Sequence, residues 1–241
     1  MLLNIFVMKT KTGPKDHGNS EKAIMAAAEQ LFLENGYKLT TTTMIARRAG
    51  VTHAMLHYYF RTKEHIFMKV LDKYMDELLD SFRPVMGKDA PFWETLRTGI
   101  STHFDFLEKH PLLPAFLYDT ARFSPELLEA YKGRLRSTLV MILRFHYGMI
   151  RKEIDEGRIR EVDPLQLMLD IVTLNLSSFM LIPVAHGFLR IPGSSDAAAV
   201  PGLSGVLASR REEIIELIRS RLYGGDGYAV PDGAQPEQNK Q

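Results

Sequence analysis

The chain has 241 residues, 45% of them hydrophobic and none of them cysteine, so it can bury a substantial core but builds no disulfide, zinc-thiolate centre or thiol nucleophile. Its net charge of +1 is unevenly spread: residues 1–63 hold nine Lys/Arg against four Asp/Glu, and the rest hold 21 against 25. A basic N-terminal module joined to a mildly acidic body is expected, a weak pointer toward nucleic acid, and nothing calls for an oxidising compartment, so the expected location is cytoplasmic.

The opening "MLLNIFVM" lacks a basic stretch before it and a small-residue cleavage site after it. It is a poor signal peptide, and Met8 offers an alternative start. Ser20 reads as the N-cap of a first helix, with Ile24, Ala27, Ala28, Leu31 and Phe32 on one face and Asn35-Gly36 as its end. A threonine in the run Thr40–Thr42 can cap a second helix of barely two turns, with Ile45 and Ala49 inward and Gly50 as its stop. Thr52 then caps a third helix, "HAMLHYYF", burying Leu56 and Phe60. Thr62 starts a fourth through Ile66, Phe67, Val70, Leu71, Tyr74 and Leu78, which Pro84 and Gly87 are expected to end.

Two short helices joined by a tight, glycine-containing turn are the helix-turn-helix pattern, whose second helix enters the DNA major groove. Hydroxyls, helix-start N–H groups and the tips of Arg, Lys, His and Tyr grip phosphate oxygens, while the exposed residues opening the recognition helix meet base edges. A helical hairpin with merely solvated charges gives the same pattern, and it is the bland alternative.

"AIMAAAEQLFLENGY" at 23–37, the threonines after it, "IARRAGVT", and "LHYYFRTKEHIF" together resemble the N-terminal DNA-binding domain of TetR-type transcriptional regulators over some forty-five contiguous residues. The resemblance implies base reading by Thr52, His53, Ala54 and Met55. It implies phosphate contacts by Thr41, Thr42, Arg48, His57, Tyr58 and Lys63; Arg47 is a further possibility. Lys63, opening a helix, is the foremost of these, since an ammonium and a helix N-terminus can share one phosphate. Two positions depart from the family pattern. His57 stands where tyrosine is usual, which makes that contact weaker or pH-dependent. Met55 replaces a small or hydroxyl residue, which suits a thymine methyl.

The body reads as an all-helical bundle, so the fold class expected for the whole chain is all-α. "DAPFWETLRTGISTHFDFLEKH" gives one helix closed by His110-Pro111, and Leu112–Thr120 gives a short one. Ser124-Pro125 opens a long helix to about Gly157, with Leu128, Leu135, Leu139, Ile142 and Ile150 inward. Asp163-Pro164 opens the next, apolar almost all round, from Leu165 through Leu176. The run Leu165–Phe188 holds Asp170 and Asn175 and is broken by Pro183, so it reads as a buried helix rather than a membrane span, and no membrane partner is expected. After the loop "GSSDAAAVPGLSG", "SRREEIIELIRSRL" supplies a last amphipathic helix. The tail from Gly224 is too polar and too rich in Gly and Pro to pack.

The TetR resemblance further implies a small-molecule effector held between the helices of the body and a homodimer formed through its last two long helices. The candidate pocket residues are Trp93, His103, Phe104, Tyr118, Tyr131, His146, Asn175 and Phe179, although core packing is the commoner role for any one of them. The candidate dimer residues are Met168, Val172, Leu174, Ile214 and Ile218. The expected organisation is a flexible segment over 1–19, a DNA-binding domain over 20–66, an effector and dimerisation domain over 67–223, and a disordered tail over 224–241.

The sequence carries no Gly-x-Ser-x-Gly, phosphate loop, dinucleotide fingerprint or His-Glu-x-x-His. No enzyme activity, catalytic residue, cofactor or metal is therefore expected. The expected function is a ligand-responsive transcriptional regulator, more a repressor than an activator, bound as a homodimer to a palindromic double-stranded operator. A helical adaptor that binds protein alone, or a regulator without a ligand, are the rival readings. Salt separates the adaptor, because phosphate-driven binding weakens steeply as salt rises and apolar docking does not.

Overall fold

The computed structural model describes residues 17–86, 90–189 and 203–224. Among them the chain is helical and holds no strand. It divides into two compact units between Asp72 and Lys73. The tail beyond Gly224, most of the loop after Leu189, and residues 1–16 lie outside the described residues.

In the first unit α1 (His17–Leu39) begins before Ser20, ahead of the cap its sequence suggests. Ser20 is therefore a buried residue within the helix rather than its cap, and residues 17–19 are helical rather than part of a flexible leader. Ile24, Ala27, Ala28, Leu31 and Phe32 are buried as the 3.6-residue period requires. Gly36 breaks the helical path with φ 74° and ψ 170°, a left-handed φ that glycine adopts without steric cost. Just beyond it, Tyr37 stacks on Phe32 at 5.8 Å and meets the edge of Phe67 at 5.1 Å.

Helix α2 (Thr42–Ala49) starts at Thr41, whose hydroxyl accepts the Met44 N–H at 3.2 Å, and ends at Gly50 with φ 68°. Ile45 and Ala46 are its buried pair; Ala49 is only partly covered. Helix α3 (His53–Tyr59) is capped by Thr52, which accepts the Met55 N–H at 3.2 Å. Leu56 and Phe60 fill the core, and full burial of such side chains is worth about 1.5–3 kcal/mol each. Helix α4 (Lys63–Met86) follows, with Thr62 accepting the His65 N–H at 3.0 Å. It does not stop at Pro84. Proline's φ is compatible with a helix, and the lost N–H bond and the ring's crowding of the carbonyl four residues back fall in the final turn, which persists to Met86.

The second unit is a bundle of α5 (Phe92–Lys109), α6 (Leu113–Phe123), α7 (Pro125–Asp155), α8 (Pro164–Leu189) and α9 (Leu203–Tyr223) together with the second half of α4. Ser124 occupies the N-cap position of α7 but makes no side-chain cap bond, so Pro125 at the first helical position carries that signal. On α7 the inward residue is Leu127 rather than Leu128, while Leu139 and Ile142 are only partly covered and Ile150 is fully buried. Asp163 caps α8 in earnest: its carboxylate accepts the N–H groups of Leu165 and Gln166 at 2.8 and 3.1 Å.

Helix α8 packs against α5, α7 and α9. Its stretch Pro164–Leu181 is long and apolar enough to cross a membrane by length and composition alone. Inside the bundle that apolar character divides between two faces. Leu167, Met168, Ile171, Asn175, Ser178 and Phe179 are buried, whereas Leu165, Leu169, Val172, Leu181 and Val184 are exposed. Arg221 of α9 pairs with Asp170 of α8, and Arg211 of α9 bridges Asp105 and Glu108 of α5 at 2.7 and 3.1 Å.

Candidate DNA-binding face and effector cavity

The opening of α3 presents Thr52, His53 and Ala54 to solvent, with Met55 partly covered. The Thr42 hydroxyl lies 3.0 Å from His53 Nε2, so the first residue of α2 fixes the first residue of α3. The His53 and His57 rings meet edge to face at 4.4 Å. They are one helical turn apart, a spacing a metal can bridge, but no group of three ligand-type side chains gathers among the described residues. His57 Nδ1 lies 3.1 Å from the Arg61 carbonyl. A carbonyl only accepts, so Nδ1 carries a proton, and Nε2 can donate to a phosphate only when the ring is an imidazolium. The departure from tyrosine at this position thus has a physical basis. Tyr58 is 76% exposed and holds its hydroxyl clear of the core. Thr41 is exposed but its hydroxyl already caps α2, and Arg48 is engaged with Glu34 at 2.7 Å.

Lys63 does something the sequence does not announce. Its ammonium donates to the carbonyls of Tyr37 and Thr40, both at 3.0 Å, and sits 4.0 Å from the centroid of the Tyr37 ring. Burial lowers its pKa from the ordinary lysine value. Two of its three N–H groups thus tie the start of α4 to the turn after α1, and at most one is left for a phosphate. Thr40, fully buried, completes that turn by donating to the carbonyls of Leu31 at 2.9 Å or Gly36 at 2.8 Å. Replacing Lys63 with methionine is expected to lower the unfolding free energy by about 1–3 kcal/mol, because two carbonyls lose a charged donor. Thermal unfolding of the full chain checks this. Unchanged stability with a salt slope of DNA binding reduced by about one would return Lys63 to a phosphate-holding role.

In the second unit, α4, α5, α7 and α8 line a partly open cavity of about 150 Å³. Leu78, Phe82, Ile100 and Met168 supply apolar wall, and the half-exposed Leu139 and Val172 form part of its lining. Two histidines line it as well, His103 and His146. His146 Nδ1 lies 2.9 Å from the Ile142 carbonyl. Gly99 permits the ring's approach, since a Cβ there would stand 3.1 Å from His146 Nε2. Asn175, wholly buried, donates from Nδ2 to the Ile100 carbonyl at 3.1 Å, and the same nitrogen lies 3.1 Å from His103 Nδ1. Burial pushes the His103 imidazole down to about 4 and lowers that of His146 as well, against the bond to Ile142.

Of the eight residues considered for the pocket, only His103 and His146 line this cavity. Asn175 stands behind it and orients His103. Phe104 and Phe179 pack on each other at 5.0 Å in the core, and Trp93 lies edge to face with Tyr223 at 6.0 Å. Tyr131 is buried without lining the cavity, and Tyr118 is 53% exposed rather than inward. The wall also includes Leu78 and Phe82, residues of α4.

Residues 24–70, which hold α2, α3 and most of α1, match the family model of the bacterial regulatory proteins, tetR family. The N-terminal domain is a TetR-family domain. The helix-turn-helix transcriptional regulator YhgD of Bacillus subtilis is 22% identical over 144 residues, which are 60% of this chain and 74% of YhgD. The solved structure of the ketosteroid transcriptional regulator KstR2 of Mycobacterium tuberculosis superposes with a TM-score of 0.63 at 19% identity, covering 81% of this chain and 93% of that one. That of FadR from Bacillus subtilis, in complex with stearoyl-CoA, gives 0.57 at 22% identity, covering 80% and 97%. These structures show a likeness of fold to this chain.

The residues considered for a TetR dimer interface separate clearly. Met168, Ile214 and Ile218 are buried within their own bundle. Leu174 is half-buried and Val172 is 37% exposed. The exposed residues that apolar composition alone did not single out are Leu165, Leu169 and Leu181 on α8 and Leu217 on α9. A helix that is apolar all round gives no phase to its pattern, so only packing shows which side is outermost.

Proposed function

We propose that this chain is a ligand-responsive repressor that binds a palindromic operator as a homodimer in the cytoplasm and releases it when a small molecule occupies the cavity of the second unit. The observation that carries the DNA part is the exposed opening of α3, with Thr52, His53 and Ala54 held outward by the Thr52 cap and the Thr42–His53 contact. Base reading by those three residues and Met55, with phosphate contacts from Thr42, Tyr58 and His57, follows the geometry of a helix whose N-terminal residues enter the major groove. The exposed leucines of α8 and α9 support the dimer, because a contiguous apolar face of this kind is self-complementary across a two-fold axis.

The cavity supports the effector. A ligand that binds the free protein more tightly than the DNA-bound form must weaken DNA binding by the same factor. Fluorescence anisotropy of the full chain on the DNA upstream of its own gene tests the reading. Affinity should fall steeply with salt, as release of several counterions requires, and deletion of the gene should raise transcription from that promoter. Salt-insensitive binding would leave a protein-docking module, and lowered transcription would make the chain an activator.

A further inference from the structure

The two cavity histidines have opposite hydrogen-bonding characters, and the packing around them sets which is which. His146 Nδ1 faces the Ile142 carbonyl at 2.9 Å. A carbonyl has no proton to give, so the ring holds its proton on Nδ1, and Nε2 is a bare acceptor. His103 is the reverse. The Asn175 amide must turn its NH₂ toward the Ile100 carbonyl, 3.1 Å away, and that same nitrogen lies 3.1 Å from His103 Nδ1. Nδ1 therefore accepts, the ring proton is on Nε2, and His103 Nε2–H is a donor. Among the described residues no hydrogen bond engages either Nε2. Gly99 and His103 lie one turn apart on α5, and His146 Nε2 stands against Gly99, so both rings border the same stretch of α5, and both line the cavity.

Among the described residues that line it there is no Lys, Arg, Asp or Glu. From these placements we infer that the effector is an uncharged, largely apolar molecule carrying a hydroxyl, which accepts from His103 Nε2–H and donates to His146 Nε2. This rests on the reading of the cavity as the effector site. A carboxylate offers only acceptors, would confront the His146 lone pair, and would enter an apolar space without a cation to pair it. A ketone satisfies His103 and leaves His146 unpaired. A plain hydrocarbon leaves both unpaired. Burial supports the assignment by keeping both rings neutral at physiological pH. The cavity, about 150 Å³ and partly open, has room for at least one benzene-sized ring, so a phenol or an alicyclic alcohol is the simplest molecule of this class.

Isothermal titration of the full-length wild type with phenol, toluene and benzoate at pH 7.5 separates the possibilities. Phenol is expected to bind about tenfold or more tightly than toluene, since two buried polar groups are satisfied rather than one or none, with benzoate weakest. In His146→Leu and His103→Leu that preference should shrink toward parity while toluene still binds. The ¹⁵N shifts of the wild-type imidazoles give an independent reading, with Nδ1 protonated on His146 and Nε2 protonated on His103. Equal binding of phenol and toluene, or tighter benzoate, would overturn the hydroxyl class and leave the cavity as an effector site. Failure of all three to bind at millimolar concentration would overturn the effector reading and the inference together.

Discussion

Leu169→Glu is expected to abolish operator binding while leaving α1 to α4 folded. Leu169 is 55% exposed in the single chain, so a carboxylate there is solvated in the subunit, and a surface substitution of this kind changes stability by no more than about 0.5 kcal/mol. In a two-fold dimer built on the exposed face of α8 and α9, the same change buries two unpaired charges in an apolar seam, at several kcal/mol each. Leu217→Glu, on the neighbouring helix and 53% exposed, should act the same way. Ile218→Glu is the contrast. Ile218 is 1% exposed, so its replacement should unfold the bundle rather than divide the dimer. Sedimentation velocity at micromolar concentration should show a folded monomer for Leu169→Glu and Leu217→Glu, and anisotropy should show the loss of operator affinity. A Leu169→Glu protein that stays dimeric and binds normally would place the interface elsewhere.

Acid should unfold the second unit earlier than its carboxylates alone would explain. His103 is held at about 4 by burial, against an ordinary value of 6.5. The unfolded chain therefore takes up a proton as pH falls through 6.5, whereas the folded chain refuses it until about pH 4. Stability is full above pH 6.5 and declines progressively down to about pH 4, by about 3 kcal/mol for a displacement of that size. His146 contributes in the same direction, its pKa lowered by burial against the pull of the Ile142 carbonyl. Urea unfolding at pH 7.5 and at pH 5 should show the decline. It should be visibly shallower in His103→Gln, which keeps an acceptor for Asn175 but cannot be protonated. An equal decline in wild type and variant, with the His103 ring titrating near 6.5, would contradict the burial of its charged form.

The first unit was legible because its signals are local. Threonine caps at Thr41 and Thr52, the stop at Gly50, and the alternation of buried Ile45, Leu56, Phe60 and Ile66 are each decided within one turn of chain. The second role of Lys63 is hidden for the opposite reason. Its partners are the carbonyls of Tyr37 and Thr40, brought to it by the left-handed Gly36 more than twenty residues away, and no spacing rule expresses that. The same holds in the bundle. A list of aromatic and polar side chains does not say which of them border an empty space: Trp93, Phe104, Tyr131 and Phe179 are buried away from this cavity, while Gly99 and Met168 line it. Helix α8 could be recognised as apolar on both sides, but its inner and outer faces could be told apart only once α5, α7 and α9 were packed around it.

Selection of binding sites from a pool of random duplex DNA by the purified full-length protein, followed by sequencing, addresses the regulator directly. The expected outcome is an enriched inverted repeat whose two half-sites are separated by about one helical turn or more, each read by the opening of one α3 helix, with His53→Ala changing the preferred base at particular positions of both half-sites. Recovery of no enriched sequence, or of a single half-site bound as tightly as the repeat, would contradict a homodimeric operator-binding protein.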